Sequence, residues 1–363
     1  MLLLPLVVTA RAQSQSGATR VGLDEHAMLK SLVEDAVAGR NLGGNAWLTW
    51  MPHFFRGPDG RTYVPFTLKI EEAAGGFKRA AMYVRIARRG DAGQDARRAD
   101  GIQNALGIPT GELPINSPER RQSAGAPTAS DASLMLRSLT AKPAPRHPYE
   151  AVYRVTPIET QNSGIVSRSL ALAPGEYDVY VALLDEPRRG EKQRRSAIAK
   201  QQVSVPNFNA PGLRLSSVVV ADGIESLTSP VSKAEQALRP YALGAVELVP
   251  ALDNELRQSE TLHLAFVIYG AAVDQDGMPD VRVEYRLYRS SDLSEGLLGS
   301  TPPQTLDRTT LPARFDLRTG GQLAVAQSLP LASYPTGRYR IAIRVIDNRS
   351  GLTAEDTVRF AIQ

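Results

Sequence analysis

The sequence predicts an all-β protein built as two β-sandwiches in tandem, preceded by one amphipathic helix. Three observations predict it. Short runs in which apolar and polar residues alternate, such as RTYVPFTLKIE and AAMYVRIAR, recur from residue 46 to the end of the chain. Strand follows strand with turns and almost no helix between them, which argues against a parallel α/β sheet. Finally, residues 174–185, PGEYDVYVALLD, are echoed at residues 336–347 by TGRYRIAIRVID.

At 363 residues the chain is long for one all-β domain and comfortable for two, each able to bury its own core. Hydrophobic residues make up 42%, and no uninterrupted apolar run reaches the ~18–20 residues of a spanning helix, so no transmembrane segment is expected in the mature chain. The 42 Lys and Arg against 38 Asp and Glu leave a net charge of only +4, too weak a field to support a nucleic-acid partner. Cysteine is absent, which removes disulfides, thiolate metal sites and a cysteine nucleophile together.

The first residues, MLLLPLVVTARAQ, run apolar from Leu2 to Ala10 and then offer Ala10-Arg11-Ala12, the small-x-small pattern of a signal-peptidase site. Residues 1–12 are therefore expected to be a signal peptide that lacks its positive leading region, and the protein to be exported to the periplasm or beyond. Residues 13–45 are expected to form a linker and the helix. Within DEHAMLKSLVEDAVA, at 24–38, Met28, Leu32 and Ala36 form one i, i+4 row and Leu29, Val33 and Val37 the next. Asp24 and Glu25 suit the start of this helix, and Gly39 its end.

The first sandwich is expected over 46–207. Its strands include YVPFTLKI, AAMYVRIAR, VYRVTPIET, SRSLALAPG, EYDVYVALLDE and AIAKQQVSVPNF. Residues 91–148 interrupt them with Gly, Pro, Ser, Ala and Arg and read as a loop-like insertion, an addition whose entropic cost grows only with the logarithm of its length. The junction VPNFNAPG at 205–212 marks the boundary, and the second sandwich is expected over 213–363, with eight strands that include ETLHLAFVIYG, DVRVEYRLYRS and ARFDLRTGG.

The repeat sets Gly175 on Gly337, Tyr177 on Tyr339 and Asp185 on Asp347, 162 positions apart throughout. Glycine lets the chain turn sharply. The tyrosine two residues later can bury its ring while its hydroxyl reaches a backbone carbonyl, and the alternate Val, Ile and Leu line a core. The alignment extends to YVPFTLKI at 63–70 laid on LHLAFVIY at 262–269. The Gly-x-Tyr element is similar to the tyrosine corner of immunoglobulin-like and fibronectin-III-like sandwiches, with different spacing. The region from about residue 60 to 363, carried by LRLSSVVVADGI, GAVELVPALDNELRQSETLHLAFVIYGAAVDQDG and PTGRYRIAIRVIDNRSG, resembles the paired C-terminal β-domains of bacterial exported von Willebrand-factor-A-related and GWxTD-type proteins. The namesake motifs, G-W-x-T-D and D-x-S-x-S, are absent, so the resemblance implies an accessory β portion without those domains' activities.

Candidate sites are few. DQDGMPD places Asp274, Asp276 and Asp280 around Gly277, oxygen ligands before a turn as a calcium loop requires, but without that loop's terminal Glu; a polar turn explains the same residues. Trp47, Trp50 and Phe54, with His53 and Phe55, could form an aromatic ligand platform or else belong to the core. RRGEKQRR at 188–195 is the densest basic run, without interleaved aromatics, and suits a solvated hairpin. His26, His53, His147 and His263 are scattered, with no H-E-x-x-H, G-x-S-x-G or phosphate-cradling glycine motif, so neither catalysis nor a cofactor is expected. The expected function is that of a non-enzymatic structural or protein-interaction module of the bacterial cell envelope, partnered by another envelope protein. Carbohydrate or ligand binding is the alternative, and metal-dependent hydrolysis a third.

Overall fold

The computed structural model describes residues 22–40, 48–57, 59–70, 80–89, 149–155, 165–186, 194–236, 239–243, 246–291, 294–319 and 322–363. The expected signal peptide, the insertion at 91–148, Trp47, His147 and most of the basic run lie outside these residues.

The chain enters through helix α1, Leu23–Val37. The Glu25 carboxylate reaches back to accept the Gly22 N–H at 3.0 Å, satisfying a donor left free at the helix start. Leu29, Val33 and Ala36 form its buried face, while Met28 and Val37 stay half exposed.

Eight strands follow: β1 (Leu48–Pro52), β2 (Phe55–Arg56), β3 (Thr62–Ile70), β4 (Ala80–Arg88), β5 (Tyr149–Val155), β6 (Ile165–Leu172), β7 (Gly175–Asp185) and β8 (Ser196–Val205). They make two antiparallel sheets, one ordered β1-β3-β2 with β6 also on β3, the other β5-β4-β7-β8. Val64, Phe66 and Leu68 of the first sheet and Met82, Val84, Val179 and Val181 of the second share one buried cluster. The other face of the second sheet, with Ala81, Tyr83, Tyr180, Ala182 and Leu184, packs under α1. Both faces of β4 and β7 are thus buried, which is why VYVALL runs apolar without alternation. Arg85 lies under the helix, 4% exposed, donating to the Tyr83 hydroxyl at 2.8 Å with the Glu150 and Glu34 carboxylates 3.8 and 3.9 Å away.

The second group comprises β9 (Arg214–Leu215), β10 (Val219–Ser226), a single helical turn α2 (Lys233–Gln236), β11 (Ala242–Leu243), β12 (Val246–Pro250), β13 (Glu255–Leu256), β14 (Thr261–Tyr269), β15 (Val281–Ser290), β16 (Glu295–Ser300), β17 (Gln304–Leu306), β18 (Leu323–Pro330), β19 (Gly337–Asp347) and β20 (Thr353–Ile362). One sheet is ordered β11-β12-β10-β14-β18 with β9 on β14, the other β13-β20-β19-β15-β16 with β17 on β15. Leu262, Leu264, Phe266 and Ile268 of β14 meet Val283, Tyr285, Ile341 and Ile343 in their own cluster.

The repeated segments occupy matching places. β7 lies between β4 and β8, and β19 between β15 and β20; each begins at its glycine and ends at its aspartate. Tyr177 and Tyr339 are buried, and their hydroxyls donate to the carbonyls of Ala173 (2.8 Å) and Pro335 (2.5 Å) respectively, in each case four residues upstream. Gly175 and Gly337 sit at φ +148° and +147°, a region nearly closed to other residues. An arginine from the neighbouring strand lies over each glycine: Arg88, opposite Tyr177, and Arg289, opposite Tyr339. A Cβ on either glycine would meet that guanidinium at 3.3 Å. Arg289 also donates to the Thr336 carbonyl at 2.9 Å. Asp185 and Asp347 are both buried; the first is held by Arg195 at 2.7 Å, the second accepts from the Ala272 N–H at 2.8 Å and from the Ser350 hydroxyl.

Two expectations need correction. Laying residues 63–70 on 262–269 sets Val64 on His263, but Val64 faces a core and His263 faces outward, hydrogen-bonded to Ser328. The true match lies an odd number of positions away, because a one-residue slip exchanges the faces of a strand. ARFDLRTGG is not a strand: its described residues form a turn and the 3₁₀ segment Leu317–Thr319. In its place, the short strands β16 and β17 complete the sheet.

Replacing Tyr339 by Phe is expected to cost about 1 kcal/mol through the lost hydrogen bond. Replacing Gly337 by Ala is expected to cost about 1–3 kcal/mol through strain at positive φ. Urea unfolding of each variant checks both, and Tyr177 and Gly175 should respond alike.

Candidate functional site

The described residues of the aromatic segment do not form an exposed platform. Trp50, 6% exposed, stacks on Phe66 with ring centroids 4.1 Å apart inside the first core. Phe54 is half-buried, and His53 and Phe55 are buried where the two sheet pairs meet. There β2 and the outer face of β3 contribute Phe55 and Tyr63. The outer face of the facing sheet supplies Val219, Leu248, Val267 and Tyr269, Tyr241 and Leu243 flank them, and Phe208 comes from the connecting segment.

Polar groups at this joint are paired across it. The Tyr63 hydroxyl donates to the Pro240 carbonyl at 2.9 Å, and the Tyr269 hydroxyl accepts the Arg56 N–H at 3.0 Å. The Tyr241 hydroxyl lies 2.8 Å from His53 Nδ1. Ser217 donates its N–H to the Phe54 carbonyl and accepts the Phe54 N–H on its hydroxyl, both at 2.9 Å. The Thr62 hydroxyl donates to the Pro206 carbonyl at 2.7 Å, tying down the junction that the proline-rich sequence suggested as a boundary. Burial pushes Tyr63 and Tyr269 up to about 12, raises Tyr241 further, and lowers His53 to about 4. At neutral pH the joint therefore carries no charge on these four rings.

A cavity of about 220 Å³ opens beside the joint, lined by Arg56, Tyr269, Gly270, Leu317, Arg318 and Gln322. Arg56 lies over the Tyr269 ring at 4.8 Å, and Arg318 is paired with Asp316 at 3.1 Å.

The aspartate turn is held by arginines. Asp274 accepts the N–H groups of Asp276 and Met278 at 3.0 Å and pairs with Arg308 at 3.1 Å and Arg349 at 2.9 Å. Its carboxyl lies below the usual range, chiefly because of the Met278 N–H. Asp276 pairs with Arg308 at 2.6 Å, while Asp280 turns to Asn348 at 2.7 Å. Gly277 is required here: at φ +80°, a Cβ would fall 1.9 Å from the Asp316 carboxylate. Arg308 and Arg349 compensate the charges of Asp274 and Asp276, and among the described residues no group of three or more His, Cys, Asp or Glu is placed to hold a metal ion.

The remaining motifs are dispersed. Of the basic run, Arg194 pairs with Glu25 of α1 at 2.8 Å and Arg195 with Asp185, so both serve the fold. His26 lies 5.8 Å from the Tyr83 ring under the helix, and His263 is on the outer face of β14, held by Ser328 rather than by His53.

One surface went unread in the sequence. All six residues of β16, EGLLGS, are exposed, with Leu297 at 61% and Leu298 at 50%. Among the described residues it ends its sheet, pairing only with β15. Beside it an apolar groove of about 110 Å³ opens between the two sheets, lined by Tyr285, Leu287, Leu298, Leu329, Tyr334 and Ile341. Two glycines and two adjacent leucines give no alternation, so no strand signal could have found it.

No family model and no curated protein matches the chain. Among solved structures it aligns with Salmonella alpha-2-macroglobulin reacted with methylamine, at 10% identity and a TM-score of 0.20, over 89% of this chain and 17% of that one. A point mutant of the same protein aligns at 10% identity and a TM-score of 0.18, with the same coverage. The chain thus spans 17% of those structures, and likeness at this level carries no functional information.

Two outcomes follow from this geometry. Because folding lowers the His53 pKa from 6.5 to about 4, the unfolded chain binds the extra proton between those values. Stability is then complete above about pH 6.5 and falls by on the order of 3 kcal/mol as pH drops to about 4. Urea titrations across that range should show this slope in the native chain and lose it in His53→Asn. Millimolar calcium should leave the melting temperature unchanged, whereas Arg308→Ala should lower it modestly.

Proposed function

We propose that the chain is a non-enzymatic structural or protein-interaction module of the bacterial cell envelope, made of two immunoglobulin- or fibronectin-III-like sandwiches. The reading extends the resemblance to the β-domains of exported von Willebrand-factor-A-related and GWxTD-type proteins, and the apolar start of the chain to export. The observation that carries it is the bare edge strand β16 with its two exposed leucines beside an apolar groove. Unpaired strand edges are surfaces that proteins normally blunt with lysine, proline or a covering segment. The same sheet does cover its opposite end: β13 pairs in parallel with β20, and the Gln363 N–H bonds to the Leu256 carbonyl at 2.8 Å. Other sheets also end in open edges, but β16 alone among the described strands is exposed along its whole length with two exposed leucines, which favours recognition over simple scaffolding.

The test places a photo-crosslinking amino acid at position 297 of the full chain, produced at native level in its own host, with exposed position 30 on α1 as control. A discrete protein adduct from position 297 in the envelope fraction, absent from position 30, is the expected result. A cytosolic chain, or no adduct from position 297, would overturn the proposal.

A further inference from the structure

Gly299 adjoins the bulge at which the register of β15 and β16 shifts, a usual place for a strand glycine, but Gly296 has no such reason among the described residues. Neither takes a positive φ, and a Cβ built on either would meet nothing within 4 Å. Glycine inside a strand forfeits packing and backbone order, and besides bulges and bends its recurrent use is to let another backbone approach closely. Here the two glycines flank Leu297 and Leu298 on the strand whose outer edge is unpaired. The register places Leu297 opposite Tyr288, on the outward face of the sheet, while Leu298, at the register shift, lines the groove between the sheets. A strand added alongside would cover both leucines, with every second side chain directed toward the groove.

Charge identifies the other half of that strand. The outward face beside β16 carries Arg282 and Arg286 of β15, Arg338, Arg340 and Arg344 of β19 and Arg359 of β20, against Glu284, Glu295 and Glu355. Among the described residues of β15, β16, β19 and β20 on this face, positive groups therefore outnumber negative ones by three. Arg340 is spent on Glu295 and on the Tyr288 ring, 4.1 Å from its centroid, whereas Arg286 reaches the Glu284 carboxylate only at 3.9 Å, shares it with Arg282, and stands 52% exposed, opposite Ser300 at the end of β16. A second copy pairing edge to edge would set two such arginine-rich faces side by side, which like charges oppose.

We propose that β16 receives, as an added strand, an extended segment of a partner protein in which apolar residues alternate with acidic ones. The apolar side chains enter the groove beside Leu298, and the acidic ones lie over Arg286 and its neighbours. This proposal rests on the interaction reading above and adds the chemistry of the partner.

The probes are two fluorescein-labelled peptides, one alternating valine with glutamate and one alternating valine with lysine, titrated into the full chain. The expected result is at least tenfold tighter binding of the glutamate peptide, with slowed amide exchange over 295–300. The double substitution L297K and L298K should abolish binding without lowering the melting temperature, since both side chains are exposed. Arg286→Glu should narrow or reverse the preference between the peptides, and raised salt should weaken it. Equal binding of both peptides, or protection confined to another region, would overturn the proposal. So would a dimer in sedimentation velocity that L297K and L298K dissolve, since the occupant would then be a second copy. A crosslinked adduct from position 297 without any peptide binding would overturn the acidic-strand mode alone, and loss of both would overturn the interaction reading with it.

Discussion

The structure depends on the burial of three tyrosines, Tyr63, Tyr241 and Tyr269, between its two sheet pairs. Each ring removes a large apolar area from water, but each also brings a hydroxyl that costs more than the ring gains unless it finds a partner. Here a carbonyl, an imidazole and a backbone N–H answer them, each from the opposite sheet pair. Those bonds are directional, so they set the angle and register of the contact as well as its strength. The uncharged state of His53 belongs to the same requirement, because an imidazolium at that depth would have no counter-ion within the joint.

Given that joint, the rest of the architecture is a repeated solution to one local problem. A long central strand must enter each core from a loop at its glycine end. In both pairs a glycine at positive φ makes the entry, a tyrosine two residues on ties the loop to the strand, and an arginine from the adjacent strand covers the glycine. With both cores closed in this way, the chain keeps its freedom for recognition at the periphery, where β13 shields one end of a sheet and the other end stays open.

How much of this was legible follows from how local each feature is. The Gly-x-Tyr corner is written in adjacent residues, and so is the apolar face of the helix from Met28 to Val37, so both are visible in sequence; which of its residues are buried, Leu29, Val33 and Ala36 but not Met28 or Val37, is set by packing. The alignment of β3 with β14 slipped by one because Tyr63 and Val64 are both buried, on opposite faces, and the joint that buries Tyr63 is made with residues about 180 positions away. Trp50 and the aspartate turn were ambiguous for the same reason. Whether an indole meets Phe66 or solvent, and whether a carboxylate meets Arg308 or a cation, depends on strands and loops brought together by topology. β16 was invisible because a strand lacking a buried face has no alternation to display.

The buried joint has a consequence for how the halves could be handled apart. Cutting the chain at the Pro206–Pro211 segment would strip Phe208 of its pocket and open Phe55 and Tyr63 on one side and Val267 and Tyr269 on the other to water. Each fragment would then carry a sticky aromatic scar with stranded hydroxyls. The two halves are thus companions joined by a shared aromatic interior rather than interchangeable beads.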